Sequence, residues 1–314
     1  MLFLFSTLFV LATGLVLLVK SSERLIDDAL IIARFLKASD LVIGFFLVSI
    51  ATTLPELFVS IIASIEGEPG LVLGNVLGSN IANLSLILGI VVFTTAITLK
   101  KAERFSLLFF LGIAALISFS LFFVVPSGLF GLVLLALFLG LSVFVLTRRE
   151  AFTKKLKYEV FLSEVVWACF SFLFFLGILL LSADLVIKTS VELAGLIGFS
   201  KSFIGATAIA LGTSLPELTV ALTACRKHRI RLALGNLLGA SVTNLTLVLG
   251  VAALFAPVAA SKITLFVLLA FCLIIYSLLF SILYFNKSLR KSDGVVLLFV
   301  YSLFLLVGFW VQGF

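Results

Sequence analysis

Polar side chains are bunched along this chain, and long runs of Leu, Val, Ile, Phe and Ala fill the intervals between them. The runs are continuous rather than alternating. They therefore read as helices and not as barrel strands with a two-residue period. About 20 such residues carry a helix across a bilayer. Ten spans fit the pattern, at 2–33, 40–65, 69–96, 105–124, 127–147, 160–195, 201–225, 230–256, 262–285 and 293–312. The predicted fold class is an all-α polytopic membrane protein. Composition agrees, since 63% of the 314 residues are hydrophobic and 12% charged, with mean hydropathy +1.36. A soluble domain averages about 45–50% apolar and about 25% charged residues. The opening run MLFLFSTLFVLATGLVLLVK has neither a basic leader nor a small-residue cleavage site, so it reads as a retained helix. Cys169, Cys225 and Cys272 lie inside apolar runs and read as small core residues, with no disulfide framework to infer.

The net charge is +7, and its placement says more than its size. The loops after the odd-numbered spans hold 17 of the 22 basic residues, from Arg34 and Lys37 through Arg226–Arg231 to Arg290 and Lys291. The opposite loops hold only Lys201 and Lys262, with Glu66 and Glu68 beside them. By the positive-inside rule the basic face is cytoplasmic and both termini are extracytoplasmic, in a multi-pass plasma-membrane protein. This accounts for the basic excess, and no nucleic-acid partner is expected.

Shifting the sequence by 161 residues superposes its rarest polar features. IATTLPEL (50–57) falls on LGTSLPEL (211–218), and LVLGNVLGSNIANLSLILG (71–89) falls on LALGNLLGASVTNLTLVLG (232–250). Gly44 falls on Gly205, and Glu23 lands on the acidic Asp184. Each half holds five spans, and an odd number makes the second half enter the membrane inverted. The ten helices thus form two five-helix inverted-topology repeats, 1–147 and 160–314, joined by a cytoplasmic linker at 148–159. Such repeats place a substrate site at their interface near the bilayer midplane.

The two Leu-Pro-Glu motifs fall at the centres of their spans. An uncompensated carboxylate there costs about 2.5–3.5 kcal/mol on insertion scales. Pro55 and Pro216 each remove a backbone donor and crowd the carbonyl four residues earlier, freeing oxygens around Ala51–Thr52 and Gly212–Thr213. Glu56 and Glu217 with these carbonyls and hydroxyls make an all-oxygen set, which suits a hard cation. Calcium takes 6–8 oxygens at about 2.3–2.6 Å, and two carboxylates neutralise one divalent ion. The single histidine, His228, lies in a basic loop, so imidazole and thiolate metal sites are not expected. Gly74-x-x-x-Gly78 and Gly235-x-x-x-Gly239 allow close helix approach. That brings Asn83 and Asn244 within reach as amide ligands and Ser79 as a hydroxyl. Taken singly, a membrane proline is often just a kink, GxxxG often only packing, and a midplane glutamate can be an interhelical hydrogen bonder. Glutamate beside proline, twice at matched depth in opposed halves, outweighs these readings. Glu23, Asp27, Asp28 and Asp184 read as structural partners of Arg24, Lys20 or Lys188.

At these residues the chain resembles the calcium/cation antiporter superfamily, in particular the prokaryotic sodium/calcium exchangers, over essentially its whole length. The resemblance implies exchange of calcium against sodium by alternating access. It makes Glu56 and Glu217 carboxylate ligands of calcium, with Thr52 and Thr213 giving backbone oxygens. It places sodium on Ser49, Thr53, Ser79, Ala210 and Ser214, the first and fourth through main-chain carbonyls, and matches Asn83 to the family's central asparagine. Two departures matter. Ala240 stands where many relatives have serine, and Asn244 where some have aspartate, which leaves two formal negative charges and puts one sodium site and a three-for-one stoichiometry in doubt. The first motif also has Ala51 and Thr53 where Gly and Ser are commoner.

A proton/calcium exchanger uses the same glutamates, so the coupling ion (Na+, H+ or K+) stays open at this level. A cation channel with a carboxylate constriction needs no inverted repeat. No hydrolase or protease motif is present, so no enzyme activity is expected. No cofactor beyond the transported ions and no obligate protein partner is expected.

Overall fold

A computed structural model describes residues 2–36, 38–147, 161–197, 212–286 and 288–312. The segment read as the linker, together with Gly205 and Ala210, lies outside the described residues. The chain begins with α1 (Leu2–Phe35), a single 34-residue helix. A bent pair follows, α2 (Asp40–Thr52) and α3 (Leu54–Ile65), and then α4 (Pro69–Thr94). Next come α5 (Lys101–Ser120), α6 (Gly128–Thr147) and α7 (Leu162–Ile197). The chain closes with α8 (Leu215–Arg226), α9 (Ile230–Phe255), α10 (Lys262–Phe285) and α11 (Lys291–Gln312). Among the described residues seven helices are long and apolar enough to cross a membrane, and the pair α2/α3 makes an eighth when counted as one span. The seventh span read from sequence, 201–225, is described only from residue 212.

Local chemistry sets the boundaries. Ser39 accepts the Val42 N–H at 3.2 Å to start α2. Glu103 accepts the Lys100 N–H at 2.9 Å, so α5 starts four residues ahead of the expected position 105. The bend of 43° between α2 and α3 sits at Thr53, whose φ of −84° and ψ of 4° interrupt the helix just before Pro55. Ser214 has nearly the same dihedrals, −87° and 4°, just before Pro216. Proline is favoured in a first turn, where its missing N–H is not needed, so each Pro opens the helix that carries its glutamate. Among the described residues three helices contain π-helical turns, at Gly44–Val48 in α2, Ala82–Ile87 in α4 and Asn244–Val248 in α9.

The outer surface is apolar and the interior holds the polar groups. Trp310 is 82%, Phe285 80% and Leu129 78% exposed, whereas Glu56, Glu217, Asn83 and Asn244 are each 0% exposed. Water would not tolerate this inversion, and lipid requires it. The molecule is a helical polytopic membrane protein. α1 packs along α7, α5 against α10, and α9 against α2. The last contact is backbone on backbone. A Cβ added to Gly235 would overlap the Leu41 carbonyl and stand 2.9 Å from the Phe45 amide. α6 rests on the end of α9, and α11 on the end of α4. Two short links join the loops: an antiparallel strand pair, Ile97–Thr98 with Ser288–Leu289, and a 2.8 Å bond from the Val258 N–H to the Pro126 carbonyl.

Of the acidic residues on the long helices, Glu23 pairs with Lys20 (3.0 Å), Asp28 with Arg24 (3.6 Å) and Asp184 with Lys188 (2.7 Å), as expected. Asp27 differs. It pairs at 2.6 Å with Lys227, brought from the loop after α8, and the same ammonium donates to the Glu23 carbonyl. Its partner is 200 residues away, beyond the reach of helix spacing. Arg229–Asp40 (3.3 Å) and Arg231–Glu103 (2.6 Å) add two further links between the α8–α9 region and the first half of the chain.

Candidate cation site

Thr53 and Ser214 each precede a glutamate in the first turn of the following helix, Glu56 in α3 and Glu217 in α8. A carboxylate at that end meets the positive pole of the helix dipole. Each carboxylate lies near its own backbone N–H, and the two are close enough to act on each other electrostatically. Glu56 faces the hydroxyls of Thr213 and Ser79, and Glu217 faces that of Thr52. Neither reaches hydrogen-bonding geometry, and all four carboxylate oxygens are buried without a partner among the described residues.

The surrounding groups are held by exchange between the two bends. The Thr52 hydroxyl donates to Asn236 Oδ1 at 3.2 Å, and the Thr213 hydroxyl donates to Asn75 Oδ1 at 3.4 Å. Asn75 Nδ2 donates to the Glu56 carbonyl and to Ser60 Oγ, both at 2.9 Å. Among the described residues Asn236 Nδ2 has no such partners, and the position matching Ser60 is Ala221. Ser79 and Thr213 bring their hydroxyls to 3.5 Å. α3 packs against the π-helical turn of α9 and α8 against that of α4, so each glutamate helix rests on the stretch bearing the other half's asparagine. Among the described residues, both atoms of the Asn83 amide, Asn244 Oδ1 and Ser214 Oγ are buried without partners. Native proteins leave few buried polar groups unsatisfied, and an unpaired buried carboxylate costs several kcal/mol. The carboxylate and amide oxygens among these atoms call for a positive partner.

Of the residues expected from sequence, the structure brings Glu56, Glu217, Thr52, Thr213 and Ser79 near one another, while Asn83, Asn244 and Ser214 are buried on the adjoining stretches. Ser49 and Thr53 are buried there too, but their oxygens are engaged. The Ser49 carbonyl accepts the Thr53 N–H and hydroxyl at 3.0 and 2.9 Å, and Ser49 Oγ donates to the Phe45 carbonyl. Ala240 is fully buried and, as expected, places a methyl where Ser79 offers a hydroxyl in the other half. Asn75, Asn236 and Ser60 were not singled out from sequence. The first two stand at matched places in the two GN pairs, and that identity was the available signal. Among the described residues no group of three or more His, Cys, Asp or Glu assembles, so the polar region consists of two carboxylates among neutral oxygens and amides.

A helical membrane protein that buries two unpaired carboxylates among neutral oxygens has the build of an ion transporter. The comparisons agree with this class. The model of the sodium/calcium exchanger protein family matches residues 6–147 and 167–310, and the chain belongs to that family, a transporter family and not an enzyme. The sodium/calcium exchanger MaX1 of Methanosarcina acetivorans is 30% identical, with 96% of this chain and 98% of that protein covered. The inner membrane protein YrbG of Escherichia coli is 34% identical over 79% of each. The solved sodium-calcium exchanger NCX_Mj, soaked with Na+ and Sr2+, superposes with a TM-score of 0.80 at 28% identity, covering 95% of this chain and 97% of that one.

Proposed function

We propose that this chain is a plasma-membrane antiporter that moves Ca2+ against Na+ by alternating access, at a midplane site built by the two Pro-Glu bends. One observation carries the reading: Glu56 and Glu217, from matched motifs, are fully buried without partners among the described residues and lie within electrostatic reach of each other. Ca2+ is held by these two carboxylates with Thr52, Thr213 and the amide oxygens of Asn83 and Asn244. Sodium uses Ser79, Thr53 and Ser214 with the carbonyls of Ser49 and Ala210. The Ser49 carbonyl must first release part of its local hydrogen bonding. Two negative charges are balanced by one divalent or two monovalent cations. The empty pair is costly to carry through low dielectric, so only the loaded site changes sides.

The same reading takes the fold as ten transmembrane helices in two five-helix inverted repeats, 1–147 and 160–314, linked at 148–159, with both termini extracytoplasmic. The matched dihedrals at Thr53 and Ser214 and the matched π-helical turns of α4 and α9 support it. So do the reciprocal contacts of α6 on α9 and α11 on α4. No resident cofactor and no partner protein enters the mechanism.

The test is 45Ca2+ uptake into proteoliposomes under imposed Na+, K+ or H+ gradients, one at a time. The wild type is expected to respond to an outward sodium gradient. Glu56→Gln and Glu217→Gln are expected to insert normally and to abolish uptake. Sodium-driven flux of wild-type size in either variant overturns the assignment, and uptake driven only by a pH gradient in sodium-free buffer transfers the coupling to protons.

A further inference from the structure

Asn244 is held by a relay that reaches it from outside the proposed site. Asn80 Nδ2 donates to the Ser241 carbonyl at 3.1 Å and to the Tyr276 hydroxyl at 3.2 Å, and Asn244 Nδ2 donates to Asn80 Oδ1 at 3.2 Å. All four residues are at least 98% buried. The polarity of this chain follows from chemistry alone. A backbone carbonyl carries no hydrogen, so the Asn80 atom facing Ser241 must be the amide nitrogen. Asn80 then turns its oxygen to Asn244, and an oxygen acceptor demands the amide nitrogen of Asn244 opposite it. The only atom of that side chain left over is Oδ1, which is buried without a partner.

Among the described residues the other half has no such relay. Ser241 stands where Asn80 would repeat, and its hydroxyl is used by the Leu237 carbonyl at 3.0 Å; Ala115 stands where Tyr276 would repeat. Both atoms of Asn83 are accordingly without partners among the described residues, and none of these fixes which one faces the site.

We propose that Asn80, anchored by Tyr276 and the Ser241 carbonyl, is a positioning residue that locks the Asn244 amide with its oxygen toward the cation. This rests on the reading that Asn244 is a ligand. With the lock, Asn244 offers an acceptor at no rotational cost, and its NH2 group cannot swing in and repel the ion. Without it, the amide must be ordered by the cation itself, and affinity falls.

The experiment measures the Ca2+ half-saturation and maximal rate of sodium-driven uptake, per inserted protein. The full-length chain is compared with Asn80→Ala, Tyr276→Phe, Asn244→Ala and the Asn80→Ala/Asn244→Ala pair. Asn80→Ala is expected to raise half-saturation about fivefold, the equivalent of about 1 kcal/mol for one hydrogen bond, with the maximal rate little changed. Tyr276→Phe, which keeps the ring volume, is expected to raise it about twofold. Asn244→Ala is expected to match or exceed Asn80→Ala, and the double variant to be no worse than Asn244→Ala, since Asn80 acts through it. If Asn80→Ala fails to insert, Tyr276→Phe is compared in the wild-type and Asn244→Ala backgrounds instead. Full additivity in either comparison, or unchanged half-saturation on removing the relay, overturns the proposal. If Asn244→Ala binds Ca2+ normally while Glu56→Gln is dead, the relay is wrong and the carboxylate site stands; if both transport normally, the site reading itself is wrong.

Discussion

Gly239→Ala adds one methyl group where α9 meets α2, and its consequences can be worked from the contact. The new Cβ would lie 2.7 Å from Ser49 Oγ and 2.8 Å from Phe45 Cα, and would overlap the Phe45 carbonyl. Relief requires the two helices to separate by roughly 1 Å, because packed interiors leave no slack to absorb a methyl. Overpacking of this kind costs about 1–3 kcal/mol of stability. The functional cost is larger. The 3.2 Å bond from Thr52 to Asn236 crosses the same interface and breaks on such a shift, and the oxygens facing Glu217 move with it. Displacing a preorganised set of groups by about 1 Å can cost on the order of 100-fold in rate. The assay is calcium flux in proteoliposomes beside a thermal unfolding midpoint in detergent, with Gly140→Ala as control. Gly140 is exposed on α6 with open space around its Cβ position, so the control should transport normally and melt no earlier. A Gly239→Ala protein that matches wild type in both rate and midpoint refutes the claim that this backbone contact sets the site.

Other outcomes follow from the same geometry. Ser60→Ala deprives Asn75 Nδ2 of one of its two acceptors and should lower stability by about 1 kcal/mol, read as a shifted unfolding midpoint with transport retained. Asn75→Ala leaves the Glu56 carbonyl, Ser60 and Thr213 each short of a partner. It should lose more than Ser60→Ala by the same measurement and also weaken Ca2+ uptake. Arg231→Ala should destabilise by only about 1 kcal/mol, because the guanidinium is half exposed and Glu103 keeps its bond to the Lys100 N–H. A much larger loss in chemical unfolding would show that Glu103 depends on that arginine.

The sequence carried the apolar spans, the two glutamates and the matched asparagines, because a buried carboxylate beside a proline is costly enough to be conspicuous anywhere in a membrane helix. The helix breaks at Thr53 and Ser214 were legible for the same reason, since proline acts on its own neighbours. Contacts that span the chain left no such mark. Nothing near Asp27 points to Lys227, and nothing near Asn80 points to Tyr276, for each pairing exists only after α1 meets α8 or α4 meets α10. The π-helical turns were invisible as well, because an extra residue in one turn changes no residue type. The local saturation of the Ser49 carbonyl by Thr53 depends on the bend geometry and became apparent only with the dihedrals.

The π-helical turns also let one helix serve two sets of neighbours. A residue inserted into a helical turn rotates everything beyond it by about 100°. In α4 the part before the turn leans on α3 and α10, while Leu88–Thr94 beyond it leans on α11; in α9 the early part meets α2 and α8, and Leu249–Phe255 meets α6 and α3. A straight rod of either sequence would point its far end at the wrong companion. Deleting a single residue within Ala82–Ile87 or Asn244–Val248 would act like slipping a key by one tooth, leaving every later side chain on the wrong bearing.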